Sequence, residues 1–402
     1  MLLIGLRIFI RLYRLKKNKV ALIATAPLVV KFHLEPIIEK LKIEYDVVVL
    51  TNLSSQDENN FLDILPDGVR YIDSKMERKI SPFSDFKSLL ILLRFFMKED
   101  VDIALTLSPK AGLLGSFSSL IGRVPVRIHA FTGQVWQTKV GGLRTLLRWM
   151  DKLIYLYSSK VLVDSHSQRQ FLIDNNVVSE EGSLVLGDGS LVGVNIAKFS
   201  HDPLVREKFR ENAGVACDTK VFLFVGRLDR EKGIAELLKA FSSMNKKLSR
   251  TALWIVGPNE TDLGEFDESL DTFSSKSVKF FPYTPNPEVY MMAADVFCLS
   301  SYREGFGTVI IESAACGIPS IGSDISGLSD SIVNNKTGLL VNVGDICSLS
   351  AAMIKLAEDD SLRMMLGEQA MLRAQEKFDQ RIVVSRLVEF LNTELDEYVQ
   401  SQ

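Results

Sequence analysis

Histidine is scarce in this chain, four residues in 402, and the four cysteines, Cys217, Cys298, Cys316 and Cys347, fall in no CxxC spacing. Without paired cysteines or clustered histidines the sequence encodes neither a zinc site nor a disulfide framework, and it reads as a reduced, cytosolic protein. Long apolar runs are missing too. None reaches the roughly 18 uninterrupted residues of a spanning helix, and the start has no small-residue exit site of a cleavable signal. Nor is there a surplus of charge: 47 Lys and Arg face 50 Asp and Glu, a net −3, so no global basic field draws nucleic acid. Internal repeats and low-complexity tracts are absent.

What is present is length and a regular alternation. At 402 residues the chain exceeds one typical core, and 47% hydrophobic residues suffice for two mid-sized domains. Short β-branched runs such as KVALIA, YDVVVLT, VDIALTL and VRIHAF alternate with longer amphipathic segments, and the pattern restarts with KVFLFVG, ALWIVG and DVFCLS. That alternation predicts βα units and parallel sheets buried on both faces. Between the two sets, GDGSLVGVNIAKFSHDPLVREKFREN loses periodicity, which puts a boundary near residue 195. The expected fold class is therefore α/β: two Rossmann-like, doubly wound parallel-sheet domains facing a cleft. The expected division is 1–195, 196–375, and a final helix over 376–402 that crosses back to the first domain. Ligand crevices in such sheets open at the carboxyl ends of the strands.

Two loops in the second half carry chemistry. After the strand VFLFVG comes GRLDREKGI, with Arg227 and Lys232 bracketing a turn that opens a helix. Backbone N–H groups at a helix start beside two cations suit a diphosphate, which needs preorganised donors as it departs. Further on, SYREGFGTVIIESAACG sets Glu304 and Glu312 eight positions apart around a Gly-Phe-Gly turn. The glycines permit close backbone approach, and the helix after them offers free N–H groups to phosphate. Eight helical positions span about 12 Å, comparable with the reach from a hexose to the ribose of a folded sugar nucleotide.

The combination of GR…EKG with E-x7-E around Gly-Phe-Gly resembles the retaining GT-B glycosyltransferases of the GT4 family, and the likeness spans most of the chain. The resemblance implies that Arg227 and Lys232 bind the donor diphosphate and stabilise its departure. It implies that Glu304 contacts the transferred sugar and that Glu312 grips the ribose hydroxyls. The backbone of Gly305, Phe306, Gly307 and Thr308 would cradle phosphate and sugar, and Tyr283 in PYTP would meet the base. His129, at the end of VRIHAF, is expected to face the cleft and touch a sugar. No metal and no cofactor beyond a UDP-sugar donor is expected; Asp100 and Asp102 in DVD read as structural. Lys110 in LSPKAGLLGS either receives a phosphate at a helix start or is solvated.

The segments SPKAGLLG, FTGQVWQT, GDGSLVGV and SYREGFGTVIIE look most like bacterial transferases that extend undecaprenyl-diphosphate sugars in O-antigen or capsule assembly. The implied reaction moves N-acetylgalactosamine, or a related N-acetyl amino sugar, in α-1,3 linkage from UDP to a polyprenyl-diphosphate-linked acceptor. GDP-mannose or UDP-galactose would leave much the same motifs. A UDP-sugar 2-epimerase on this fold, or a non-catalytic sugar-nucleotide-binding subunit, are the alternatives.

Charge is local rather than global. Arg7, Arg11, Arg14, Lys16, Lys17 and Lys19 precede the first acidic residue, Glu35, and are interleaved with apolar residues. In GGLRTLLRWMDKLIYLYS, Arg144, Arg148 and Lys152 recur every four residues beside Trp149, while Leu143, Leu146, Leu147, Met150, Leu153, Ile154 and Tyr157 form a stripe expected in the core. Both stretches suit an anionic membrane surface, so the expected location is peripheral, on the inner face of a bacterial cell membrane.

Overall fold

The computed structural model describes residues 17–53, 67–77, 80–259 and 277–402. Arg7, Arg11, Arg14 and Lys16 lie outside the described residues.

The inner strands Lys19–Ile23, Asp46–Thr51 and Ile103–Leu107 of the first domain are buried on both faces nearly throughout, as a sheet covered on both sides requires. Strand β1 (Lys19–Ile23) is buried along its whole length. Helix α1 (Glu35–Glu44) leads to β2 (Asp46–Thr51), followed by β3 (Arg70–Asp73) and α2 (Pro82–Lys98). Then come β4 (Ile103–Leu107), α3 (Pro109–Ile121), β5 (Val126–Phe131), α4 (Gly141–Tyr157), β6 (Lys160–Val163), α5 (His166–Asp174) and β7 (Ser183–Leu184). The strands form a seven-stranded sheet in the order β3-β2-β1-β4-β5-β6-β7. Every pairing is parallel. Lys17 and Lys19, grouped above with a membrane-facing tail, lie just before and at the start of the interior strand β1. Lys17 Nζ donates to the carbonyls of Lys42 and Ile43, and Lys19 Nζ lies 2.6 Å from Glu99 Oε2. Asp102 accepts from the Lys19 backbone N–H at 2.7 Å, a role within the sheet.

The second domain begins with α6 (Pro203–Asn212), capped by the Asp202 carboxylate. It continues through β8 (Lys220–Val225), α7 (Ile234–Asn245), β9 (Thr251–Val256), β10 (Val278–Phe281), α8 (Glu288–Ala293), β11 (Val296–Leu299) and α9 (Thr308–Ala315). After it come β12 (Ser320–Ser323), α10 (Leu328–Ser331), β13 (Gly338–Val341), α11 (Ile346–Glu358) and α12 (Asp360–Phe378). Its six strands run in the order β10-β9-β8-β11-β12-β13. Phe222, Phe224, Trp254 and Phe297 fill its core. In each sheet the order reverses direction at one point, β1/β4 and β8/β11, and a crevice opens beyond the carboxyl ends of those strands.

The last helix, α13 (Gln380–Ser401), leaves the second domain and packs on α1. Val384, Leu387, Val388, Leu391 and Leu395 are part of the first domain's apolar core. The chain's outward and return passages lie side by side, because Val194 N–H donates to Phe378 O at 2.7 Å and Gln380 N–H donates to Val194 O at 2.9 Å.

Candidate active site

The loops after β8 and β11 meet at the reversal point of the second sheet. The first, 226–233, closes in a 3-10 turn over Arg230–Lys232, whose N-cap Asp229 accepts from Lys232 N–H. Gly233 then takes φ 66° to start α7, and a Cβ there would sit 2.1 Å from Ser300 O, so the two loops touch through bare backbone. Ser300 Oγ donates to Gly233 O at 2.8 Å, and Tyr302 N–H donates to Glu231 O at 2.8 Å. Strands adjacent in the sheet thereby bring two motifs, some seventy residues apart, into one surface.

Lys232 and Glu304 are the centre of that surface. Lys232 Nζ lies 2.5 Å from Glu304 Oε1, with the two side chains 18% and 13% exposed. Ser301 Oγ donates to the same carboxylate oxygen at 2.8 Å. Ion pairs this far from water are costly to break from one side, since the abandoned charge keeps its desolvation penalty. Arg227 stands at the loop's start with Nη2 3.4 Å from Asp229 Oδ2. Both cations of the GR…EKG loop are therefore held by carboxylates of their own domain.

Glu312 sits farther along, in the second turn of α9. Burial pushes its carboxyl up to about 7; Lys198 pulls it down and Glu288 adds to the rise. Lys198 Nζ is 3.4 Å from Glu288 Oε2 and donates to Pro285 O at 3.3 Å. The carboxylate, this pair and the loop 282–285 form the far end of the crevice, where Tyr283 is 53% exposed. Between the two ends, α9 begins at Thr308 after Gly307, whose φ is 76°. The first N–H groups of a helix have no partner within it, and here they open toward the crevice mouth of the sheet.

The first domain closes over the turn. A Cβ on Gly305 would lie 2.4 Å from Thr132 O, so only glycine admits this approach of backbone to backbone. Ser165 Oγ donates to Gly305 O at 2.9 Å, and Gln137 Nε2 donates to Ser326 Oγ at 3.0 Å. Beside Glu304, burial lifts the Asp164 carboxyl to about 7, with a hydrogen bond from Leu191 N–H opposing and the charge of Glu304 adding.

Several expectations need correction. His129 does not face the cleft: it is 1% exposed, turned beneath α3 and α4, with Thr106 Oγ1 2.8 Å from its Nδ1. A Cβ on Gly112 would stand 2.4 Å from its Cε1, and burial drives its imidazolium pKa down to about 3, so the ring is a neutral core group. Phe306, expected to act through its backbone, has its side chain packed on Phe378 with centroids 5.2 Å apart. Lys110 is engaged with Asp85 at 2.6 Å. In α4 the stripe expected in the core is only partly so: Ile154 is buried, while Leu143 and Leu146 are 54% and 58% exposed, since the first turns overhang the sheet.

Residues not singled out from the sequence also line the crevice. Glu231 and Arg303 lie inside the two motifs, directly before Lys232 and Glu304, and that adjacency was the available signal. Lys198 and Glu288 had none, being set in the interdomain passage and at a short helix start. Among the described residues, no group of three or more His, Cys, Asp or Glu is placed to hold a metal ion.

Known proteins resemble this chain in sequence and in fold. The family model described as "Glycosyl transferases group 1" matches residues 205–373. A capsular polysaccharide biosynthesis glycosyltransferase of Staphylococcus aureus is 33% identical, over 80% of this chain and 84% of the relative. A UDP-Gal:alpha-D-GlcNAc-diphosphoundecaprenol alpha-1,3-galactosyltransferase of Escherichia coli is 26% identical, over 78% and 81%. Among solved structures, Anabaena HepE in complex with UDP-glucose superposes with a TM-score of 0.78 at 19% identity, covering 93% of this chain and 99% of that one. The lipopolysaccharide glycosyltransferase WaaG gives a TM-score of 0.72 at 17% identity, covering 92% and 99%. The fold is GT-B.

Proposed function

This chain belongs to the group 1 glycosyl transferases, and on that premise we propose that it moves a hexose from a UDP-sugar to an undecaprenyl-diphosphate-linked saccharide, with retention, in surface polysaccharide assembly. N-acetylgalactosamine or galactose, in α-1,3 linkage, is the proposed cargo; the relative from Escherichia coli, which shares four-fifths of its length with this chain, is named for UDP-Gal and a diphosphoundecaprenol acceptor.

The observation that carries the reading is the meeting of Lys232 and Glu304 at 2.5 Å, with Arg227 at the start of the same loop, at the reversal point of the second sheet. The donor diphosphate takes Lys232 and Arg227, and Glu304, released from its lysine, accepts hydroxyl protons of the sugar. Glu312 accepts from the ribose near the base loop. As the bond from the sugar's anomeric carbon to the phosphate oxygen breaks, the acceptor hydroxyl attacks from the same face and passes its proton to the departing oxygen. Preorganised cations and backbone N–H groups then do most of the stabilisation, and removing one such donor typically costs roughly 100- to 1000-fold in rate.

The membrane belongs to this proposal. On one side of the first domain, α2 exposes Phe83, Phe86, Leu90 and Met97, and α4 exposes Leu143, Leu146, Trp149 and Leu156. Lys87, Arg94, Arg144, Arg148 and Lys152 are interleaved with them. An apolar face studded with cations matches an anionic bilayer, which is where a polyprenyl acceptor resides. Among the described residues no helix is long and apolar enough to cross a membrane.

The test is a radiolabelled screen of UDP- and GDP-sugars against a short-chain prenyl-diphosphate N-acetylhexosamine. Transfer from a UDP-hexose, lost about 100-fold or more in Lys232→Gln and Arg227→Ala, is the expected result. Conversion of a UDP-sugar without acceptor would favour the epimerase, and binding without turnover the non-catalytic subunit.

A further inference from the structure

One carboxylate outside the donor reading stands at the junction of the two domains. Glu231 is 27% exposed and divides its oxygens between them. Oε2 accepts from Arg303 Nη2 at 2.5 Å, within the second domain. Oε1 accepts from Thr138 Oγ1 at 2.9 Å and lies 3.3 Å from Lys139 Nζ, both on the first domain. Burial raises the carboxyl's pKa, yet Arg303 first, then Thr138 and Lys139, outweigh burial and hold it below the usual range, so the group stays ionised at neutral pH.

Its neighbours give the position meaning. In sequence Glu231 adjoins Lys232, and its partner Arg303 adjoins Glu304, so one ion pair grips the residues beside both halves of the central pair. The loop that supplies Thr138 and Lys139 is itself firmly seated. Trp136 Nε1 donates to Asp151 Oδ2 at 2.7 Å on α4, and the Trp136 ring stacks on Phe171 with centroids 4.9 Å apart. A shift of one domain against the other therefore pulls directly on Glu231 rather than being absorbed by a soft loop.

We propose that Glu231 is a positioning residue of the transfer: through Thr138 and Lys139 it holds the domains closed over the donor and sets Lys232 and Glu304 for the reaction. This rests on the reading that the diphosphate lies at Lys232. In the closed arrangement the first domain's hydroxyl and ammonium complete the carboxylate's partners; when the domains part, only the Arg303 side remains, and the 3-10 turn bearing Lys232 loses its brace.

The test is the full-length Thr138→Val/Lys139→Met double variant, two side chains bonded to Glu231 and outside the proposed donor contacts. Calorimetry with UDP should give a dissociation constant within about twofold of wild type, because the second domain's own groups are intact. Turnover at saturating substrates should fall on the order of tenfold, equivalent to about 1.4 kcal/mol. Adding Glu231→Gln should cost much less in this background than in wild type, as expected for groups acting on one another. Small-angle scattering of the UDP-saturated variant should show a larger radius of gyration than wild type. Unchanged turnover, additive costs or identical radii would each overturn the proposal. A wild type that transfers no sugar refutes the transfer reading instead, and closure is then decided by scattering alone.

Discussion

Asp151 illustrates how a single buried group shapes the protein's response to pH. It is 6% exposed, accepts from the Trp136 indole at 2.7 Å, and burial lifts its carboxyl to about 7, with the Trp136 hydrogen bond opposing. A carboxyl raised in the folded state holds its proton longer there than in the unfolded chain. Between the ordinary carboxylate range and about 7 the folded form binds more protons, so stability declines as pH rises through that window and levels off above it. Each pKa unit is worth about 1.4 kcal/mol. Asp151→Asn keeps an acceptor for the indole and removes the titration. Its denaturant midpoint should vary less than wild type between pH 5 and pH 8, and at the upper end it should be the more stable by roughly 1 kcal/mol or more. Parallel pH profiles would show that Asp151 is not the group responsible. The same residue scale explains His129: its strand was legible, but in a parallel sheet covered on both faces the alternation of side chains does not say which face looks at the cleft.

At the scale of elements, α4 does two jobs with two faces. Ile154 and Asp151 look inward, and Asp151 fastens the cleft loop through Trp136. The outer face, with Trp149 54% exposed and Leu146 58% exposed, has no covering partner among the described residues of this chain. Replacing both by glutamate removes apolar area that contact with a bilayer would bury, worth about 1.5–3 kcal/mol per side chain, and adds repulsion from anionic lipid. Sedimentation of the Leu146→Glu/Trp149→Glu variant with vesicles containing phosphatidylglycerol should drop at least tenfold, while UDP affinity stays as in wild type. Undiminished sedimentation would remove α4 from the membrane face. Sequence periodicity marked this segment as helix and located its cations. It put Leu143 and Leu146 inside because a hydrophobic stripe does not reveal how far the helix overhangs its sheet.

For the whole molecule, the decisive element is the one that returns. Leu387 is fully buried on α13 among first-domain side chains, although the chain reaches it only after completing the second domain. The two passages between the domains are thus hydrogen-bonded to each other through Val194, Phe378 and Gln380. Leu387→Ala should lower unfolding free energy by about 2–5 kcal/mol, the range for a truncated core leucine. That loss should appear in the first domain's transition, although the residue lies beyond the second domain in sequence. A change confined to the second domain would contradict the packing.

The amino-acid sequence by itself determined the class of fold and the two loops that matter: β-branched runs alternate with amphipathic helices, and the glycines and cations of GR…EKG and EGFG act over a few neighbouring residues, where local backbone chemistry suffices. The three-dimensional arrangement alone decided who meets whom. Lys232 faces Glu304 because β8 and β11 are neighbours in a sheet whose order runs against the chain. His129 is hidden because two helices cover its face, and Glu231 joins two domains because Thr138 and Lys139 arrive from a separate core. Such pairings depend on strand order and domain docking, long-range choices that no short stretch of residues carries.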